Sequence, residues 1–506
     1  MDFPILSVIL FVPLVGAILV LLIPRGKENW IRGLSVAVSL IPLVLALVIW
    51  FGVTDLGGSE MQYVEEAPWI STFNVWYRLG VDGISAPLVA LTALLSTLSL
   101  FYSAYTIKVR VREYYFLFQL LQMGMFGVFL SLDFILFYVF WEIGLVPMFL
   151  LIGIWGGERR QYAAIKFFLY TLAGSVVMLL AILGVYFSTG TFDILEAARL
   201  QPFADNWPLA VLAFWGFFLG FAIKVPSFPF HTWLPDAHTE APTAGSVILA
   251  GVLLKLGAYG LIRIALPLFP DVFHFYTFNV PVIPILAVIS MVYGALVCMA
   301  QWDLKRLIAY SSVSHMGVVT LGISAAAASL GRGQELLNSA PFALNGATMQ
   351  MFTHGIITGG LFFIVGIIYE RAHTRDLQAF GGLGSKVPYY YGITLVTAFA
   401  SLGLPGLCGF WSEFFVFRGT LRIIPLFAVI GAAAIVFTAG YILWKIVQYV
   451  FLGAFDEARW GKLTDMTWWE KATMWPLIAV MVGFGIYPAP ILELFNSATT
   501  ALLGKL

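Results

Sequence analysis

Six side chains able to gain or lose a proton stand inside stretches otherwise suited to hydrocarbon. They are Glu142 in FYVFWEIGLVPMF, Lys224 in FAIKVPSFPFHTW, Lys255 in ILAGVLLKLGAYG, His315 in SSVSHMG, His354 in MFTHGIITGG and Glu413 in CGFWSEFFVF. A charge at the bilayer centre costs about 2.5–3.5 kcal/mol on the insertion scale, and the net stability of a protein is only about 5–15 kcal/mol. The two acids and two lysines therefore need a compensating reason. As fixed ion pairs they would set helix register. As a proton route they would exploit opposed effects: desolvation favours neutral Lys and neutral Glu, a nearby opposite charge favours both ions, and moving the partner switches protonation. Histidine suits such a relay, because its ordinary pKa is about 6.5. Ser311, Ser312, Ser314, Thr353 and Thr358 could hold water beside the two histidines.

The elements that must position these groups are membrane helices. The chain has 506 residues, 60% hydrophobic and 11% charged, with a mean hydropathy of +0.92, which does not fit a water-facing surface. Fourteen apolar runs, from 4–23 to 471–494, each approach the length a helix needs to cross the bilayer. They are continuous and rich in Leu, Gly and Ala rather than alternating, which points away from a barrel. The expected fold is an all-α integral membrane protein of about 14 transmembrane helices. The first run is read as retained, because Arg25 and Lys27 follow it and no small-residue cleavage pattern closes it.

Counting the connections between runs, the odd ones carry seventeen Lys and Arg, and the even ones with the C-terminal tail carry seven. The odd side is therefore expected in the cytoplasm and both termini on the outer side. Lys224, Lys255 and Lys445 are the basic residues left within spans. Lys445 lies late in its span, where a long side chain can snorkel to the interface. Cys298 and Cys408 stand alone and read as buried structural thiols, without the spacing of a zinc or iron–sulfur site. His231 and His238 lie near Asp236 and Glu240 in PFHTWLPDAHTEAPT, but not at a metal-ligand spacing. Net charge is zero and no basic stripe suggests nucleic acid.

Pro226 and Pro229 should break the seventh run, 208–233, just after Lys224. The twelfth, 388–417, carries a matching interruption in SLGLPGLCGFWSEF, where Gly403, Pro405, Gly406 and Gly409 precede Glu413. Both breaks fall in the fourth helix of a five-helix unit if runs 4–8 and 9–13 are set side by side. An odd number of helices per unit makes the two units inverted repeats, with an ion-handling site near the midplane. The expected division is an N-terminal three-helix segment (1–113), a first repeat (114–264), a second (279–452) and a C-terminal loop with the last helix (453–506).

The stretches FAIKVPSFPFHTWLPDAHTEAPTAGSVILAGVLLKLGAYGLIR, DLKRLIAYSSVSHMG and GLPGLCGFWSEF, with APWI and VDGIS before the third run, are together specific. Over nearly its whole length the chain resembles the antiporter-like membrane subunits of proton-pumping NADH:quinone oxidoreductase, respiratory complex I, and among them the M or chain 4 type. The resemblance implies fourteen helices with broken seventh and twelfth members. It carries the family's fifth-helix glutamate onto Glu142, its broken-helix lysine onto Lys224, its eighth-helix lysine onto Lys255 and its twelfth-helix glutamate onto Glu413. His315 and His354 would join the central axis. Sister subunits often have lysine where Glu413 stands, which favours M over L or N.

The function so implied is proton translocation coupled to NADH oxidation and quinone reduction elsewhere in the complex, a translocase role with no redox centre in this chain. NADH, FMN, iron–sulfur clusters and quinone would belong to other subunits, and none of their binding signatures is visible here. Implied partners are the other membrane subunits, especially L and N, together with membrane lipid and protons. The implied location is the inner (cytoplasmic) membrane. The alternatives are a subunit of a multisubunit sodium/proton antiporter, of a membrane hydrogenase or of a photosynthetic-type complex I, and a structural scaffold with inert ion pairs.

Overall fold

Backbone in hydrocarbon has no water to bond, so spanning segments must close their own hydrogen bonds as helices. The computed structural model describes residues 3–55 and 58–506. Among them eleven helices are long and apolar enough to cross a membrane, or up to twelve when the bent pair Trp468–Ile486 and Ala489–Leu503 is one span. The expected count of fourteen is not reached on that criterion. Val111–Leu130, which carries Arg112, Glu113, Gln119 and Gln122, is not among the eleven. The twelfth expected run is two helices, Pro388–Ser401 and Cys408–Ile423, each too short alone.

The described ends of the chain meet on one face. Residues 62–81 form an antiparallel hairpin of Gln62–Ile70 and Val75–Val81. Its Glu65 accepts hydrogen bonds from the amides of Leu6 (2.7 Å) and Ser7 (3.0 Å), free donors in the first turn of Ile5–Leu22. Lys505 and Leu506 line a cavity with Ser59, Arg78 and Asp82 from the same region. A second cavity gathers Ile107, Gly157, Glu240, Lys305 and Arg375, all from odd connections. Residues from odd connections thus share one cavity, and residues near the two described ends share another.

Burial follows charge. The most apolar stretches of Thr243–Leu268 and Gln334–Ala372 are 100% enclosed, and that of Leu304–Ser329 is 94% enclosed. Those three spans carry Lys255, His354 and His315. The spans Glu28–Thr54 and Pro425–Phe451 are only 28% and 33% enclosed and supply an apolar outer surface. The helices with polar groups are therefore held away from lipid by the others.

One end of the central helix Ala340–Ala372 is clamped. Arg371 makes a two-pronged ion pair with Glu470, both contacts 2.6 Å, and Glu470 also completes the capping box of Thr467 that starts Trp468–Ile486. Glu470 is 1% exposed. Arg371→Ala would strand a buried carboxylate, at a cost of about 3–5 kcal/mol. The expected result is a clear loss of heat stability in the solubilised complex, while Arg371→Lys loses less.

Candidate functional site

Each charged group sits where the local fold leaves backbone open or lets helices approach. Trp207–Lys224 ends on Lys224 itself, because Pro226 and Pro229 cannot continue it. The chain resumes as a helix at Trp233–Glu240. Of the carbonyls freed by the break, that of Ile223 accepts from the Trp233 indole at 2.9 Å, and the amide of Phe228 donates to Ser290 Oγ at 2.8 Å. Backbone groups opened by the break are thus partnered by side chains. A lysine at the last residue also faces the negative end of its helix dipole.

Lys224 is buried, and its ammonium lies 4.5 Å from the Trp141 ring centroid. Glu142 is the next residue along that neighbouring helix and acts on Lys224 through space. It makes no direct ion pair with it, and its Oε1 is buried without a hydrogen-bond partner. The helices of Lys224 and Lys255 cross at Gly257, where a Cβ would stand 3.0 Å from Lys224 Cβ and 2.6 Å from the carbonyl oxygen of Phe221. Only glycine permits that approach.

Lys255 is the thirteenth of the 26 residues in Thr243–Leu268 and is fully buried. A π-helical turn, Leu249–Leu253, precedes it, and such widened turns often mark functional sites. The Lys255 ammonium donates to the Ala250 carbonyl at 2.5 Å. It also stands 2.6 Å from His354 Nδ1. The His354 ring is 5.7 Å from that of His315, centroid to centroid. His315 Nδ1 lies 3.3 Å from Glu413 Oε1, and its Nε2 lies 3.3 Å from Ser401 Oγ. His315 is twelfth of 26 residues in Leu304–Ser329, and His354 fifteenth of 33 in Ala340–Ala372. A cavity of about 10 Å³ lies among His315, His354, Gln350, Ser401 and Glu413, space for about one water.

The second break repeats the logic of the first. Gly403 has φ +75°, and a Cβ there would lie 2.9 Å from Glu413 Oε2. Glycine therefore serves both the left-handed turn and the close approach of the carboxylate.

The structure brings Lys255, His354, His315 and Glu413 into one line and sets Lys224 and Glu142 against its Lys255 end. It does not pair acids with lysines as the two-acid, two-base reading expected. Among the described residues the acid in this line, Glu413, lies against His315, and the Lys255 ammonium lies against the Ala250 carbonyl and the His354 ring. Lys445 is buried, with its ammonium 2.8 Å from the ring centroid of Trp302, in the connection after Val282–Ala300, and 4.6 Å from that of Trp444. The two indoles enclose the ammonium. Cys298 and Cys408 are buried and free.

A family model described as NADH:quinone oxidoreductase/Mrp antiporter, transmembrane, matches residues 131–438, more than half the chain. The chain belongs to this family. NADH-quinone oxidoreductase subunit M of Rhodobacter capsulatus is 41% identical, over 98% of this chain and 96% of its own. A chain in the structure of respiratory complex I from Thermus thermophilus with bound NADH matches at TM-score 0.85 and 29% identity, covering 99% of this chain and 100% of that one. A chain of the Mrp complex from a Dietzia species shares the fold at TM-score 0.84 and 21% identity, covering 99% and 98%.

Within this family member several neighbours of the line escape a reading by charge alone. Gln350 precedes His354 by one turn and lies 3.4 Å from His315, and Ser412 bonds its side-chain oxygen. The i, i+4 spacing with His354 was the available signal. His238, weighed only as a metal ligand, is buried with both ring nitrogens unpartnered and stacks on Phe362 at 4.6 Å. Nothing in its sequence surroundings announces that placement.

Proposed function

We propose that this chain is an antiporter-like, proton-translocating membrane subunit of NADH:quinone oxidoreductase, and that its protons pass along the line Lys224, Lys255, His354, His315, Glu413. The observation that carries the reading is the near-continuous contact from Lys255 to Glu413, built from groups that exchange protons and buried among the enclosed spans. Lys255 to His354 and His315 to Glu413 are close contacts. The one wider gap, between the histidines, adjoins the cavity with room for a water. Glu142 sets the charge balance at Lys224, and Lys224 hands its proton toward Lys255. Identity to the relatives above is higher for subunit M than for the Mrp chain, which favours complex I over a sodium/proton antiporter.

In this reading the five-helix units 114–264 and 279–452 each supply half of the line. NADH, FMN, iron–sulfur clusters and quinone act in other subunits, and the whole assembly is a translocase of the inner membrane. The face bearing both termini is the outer one, as the excess of Lys and Arg on the opposite face supports. The antiporter-like subunits L and N are the proposed neighbours, and half-buried Glu142 is the group their charges would reach.

The test is Glu413→Gln in the assembled complex, reconstituted in vesicles. NADH-driven proton transport and quinone reduction should both fall several-fold, because the amide neither gains nor loses a proton. Unchanged pumping would remove Glu413 from the route.

A further inference from the structure

The helix of Lys255 carries two more unusual residues on the same face. Tyr259 and Arg263 follow at one-turn intervals, and Arg263 is buried in an ion pair with Asp82, the two side chains 6% and 5% exposed. Asp82 is itself fixed: its Oδ1 accepts from the amides of Ile84 and Ser85, both at 3.0 Å, at the start of Ser85–Thr106. Tyr259 lies beneath, its ring 5.7 Å from the Arg263 guanidinium and its hydroxyl donating to the Phe129 carbonyl at 3.3 Å. A cavity of about 360 Å³ opens from the face of the termini and has Asp82 and Arg263 in its wall, with Arg199 and Lys505 among its other lining residues. The proton line proposed above uses none of these groups.

Eight residues separate Lys255 from Arg263, about 12 Å along a helix. That is the separation along this helix between the cavity wall and the first unit's central lysine. We propose that the Asp82–Arg263 pair, backed by Tyr259, is an outer seal on the first unit. It keeps Lys255 from exchanging protons directly with the outer face, so that a proton on Lys255 leaves only through His354, His315 and Glu413. A guanidinium does not lose its proton in a protein, so Arg263 blocks a proton wire while filling the site with fixed positive charge. The N-terminal segment, which holds Asp82, thereby acquires a role in the direction of transport.

The experiment uses the assembled complex in vesicles, with two readouts: the passive decay of an imposed pH gradient without NADH, and protons moved per NADH oxidised. Arg263→Gln, which removes the fixed positive charge, should speed the decay several-fold and lower the proton yield. The double variant Asp82→Asn with Arg263→Gln removes both charges and leaves neither stranded; it should leak likewise. Adding Lys255→Met should suppress that leak, since the route runs through Lys255. An assembled double variant as tight as the parent overturns the seal, as does a leak that survives Lys255→Met. Failure of the double variant to assemble would mark the pair as a packing element and overturn it too. The inference rests on the proposed proton line, so Lys224→Met is measured in parallel. Lost pumping there with no leak here overturns the seal alone, whereas unaltered pumping in Lys224→Met overturns the line.

Discussion

Lys224→Met is expected to lower NADH-driven proton transport in the assembled complex at least about tenfold, equivalent to about 1.4 kcal/mol on the limiting step. Quinone reduction should fall with it, because the two are coupled. Met has nearly the length of Lys, and the contact it loses is the one between the Lys224 ammonium and the Trp141 ring, while the nearby acid Glu142 is only half-buried, so the folded subunit should survive. Lys224→Arg is the discriminating companion. Its guanidinium keeps the positive charge and the contact with Trp141 but releases no proton at working pH. Both variants should be inactive in vesicles that read acidification. Full pumping in Lys224→Arg would show that the site needs a charge and not a transferable proton.

The second large effect is expected from Gly257→Val. A Cβ at this position meets the Phe221 carbonyl oxygen at 2.6 Å, Val225 Cγ2 at 2.9 Å and Lys224 Cβ at 3.0 Å. Backbone cannot yield as a flexible side chain does, so the helices of Lys224 and Lys255 must part. Overpacking of this kind costs about 1–3 kcal/mol, and a shift of about 1 Å between reacting groups can cost on the order of a hundredfold in rate. Less complex should assemble, and the complex that does should pump poorly per NADH oxidised. Normal yield with normal pumping would show that the two lysines need no fixed spacing.

The sequence announced much of this because membrane chemistry leaves few choices. Apolar runs of spanning length must be helices, and Pro226, Pro229, Gly403 and Pro405 interrupt them where the structure does. Charged groups in those runs were conspicuous because each is expensive. What stayed hidden was how the groups meet. Lys255 and His354 are 99 residues apart in the chain, and only the packing of two enclosed helices places an imidazole, not a carboxylate, against the ammonium. Lys445 shows the same limit: its position in the span gave no sign that Trp302, from a distant connection, closes over it. The fourth run is a helix, Val111–Leu130, as read, but its Arg112, Glu113 and two glutamines keep it out of the eleven that are apolar enough to cross by themselves.

Lys255, His315 and His354 lie at the middle of their helices. Transfer among them therefore runs parallel to the bilayer plane. Moving a unit charge across a full membrane potential of 100 mV takes about 2.3 kcal/mol, but movement within the plane takes almost none of that. The electrical work falls on the two short legs that join the ends of the line to water. A membrane voltage should accordingly slow uptake and release while leaving the hand-over between histidines nearly untouched, so voltage sensitivity marks the legs and not the middle.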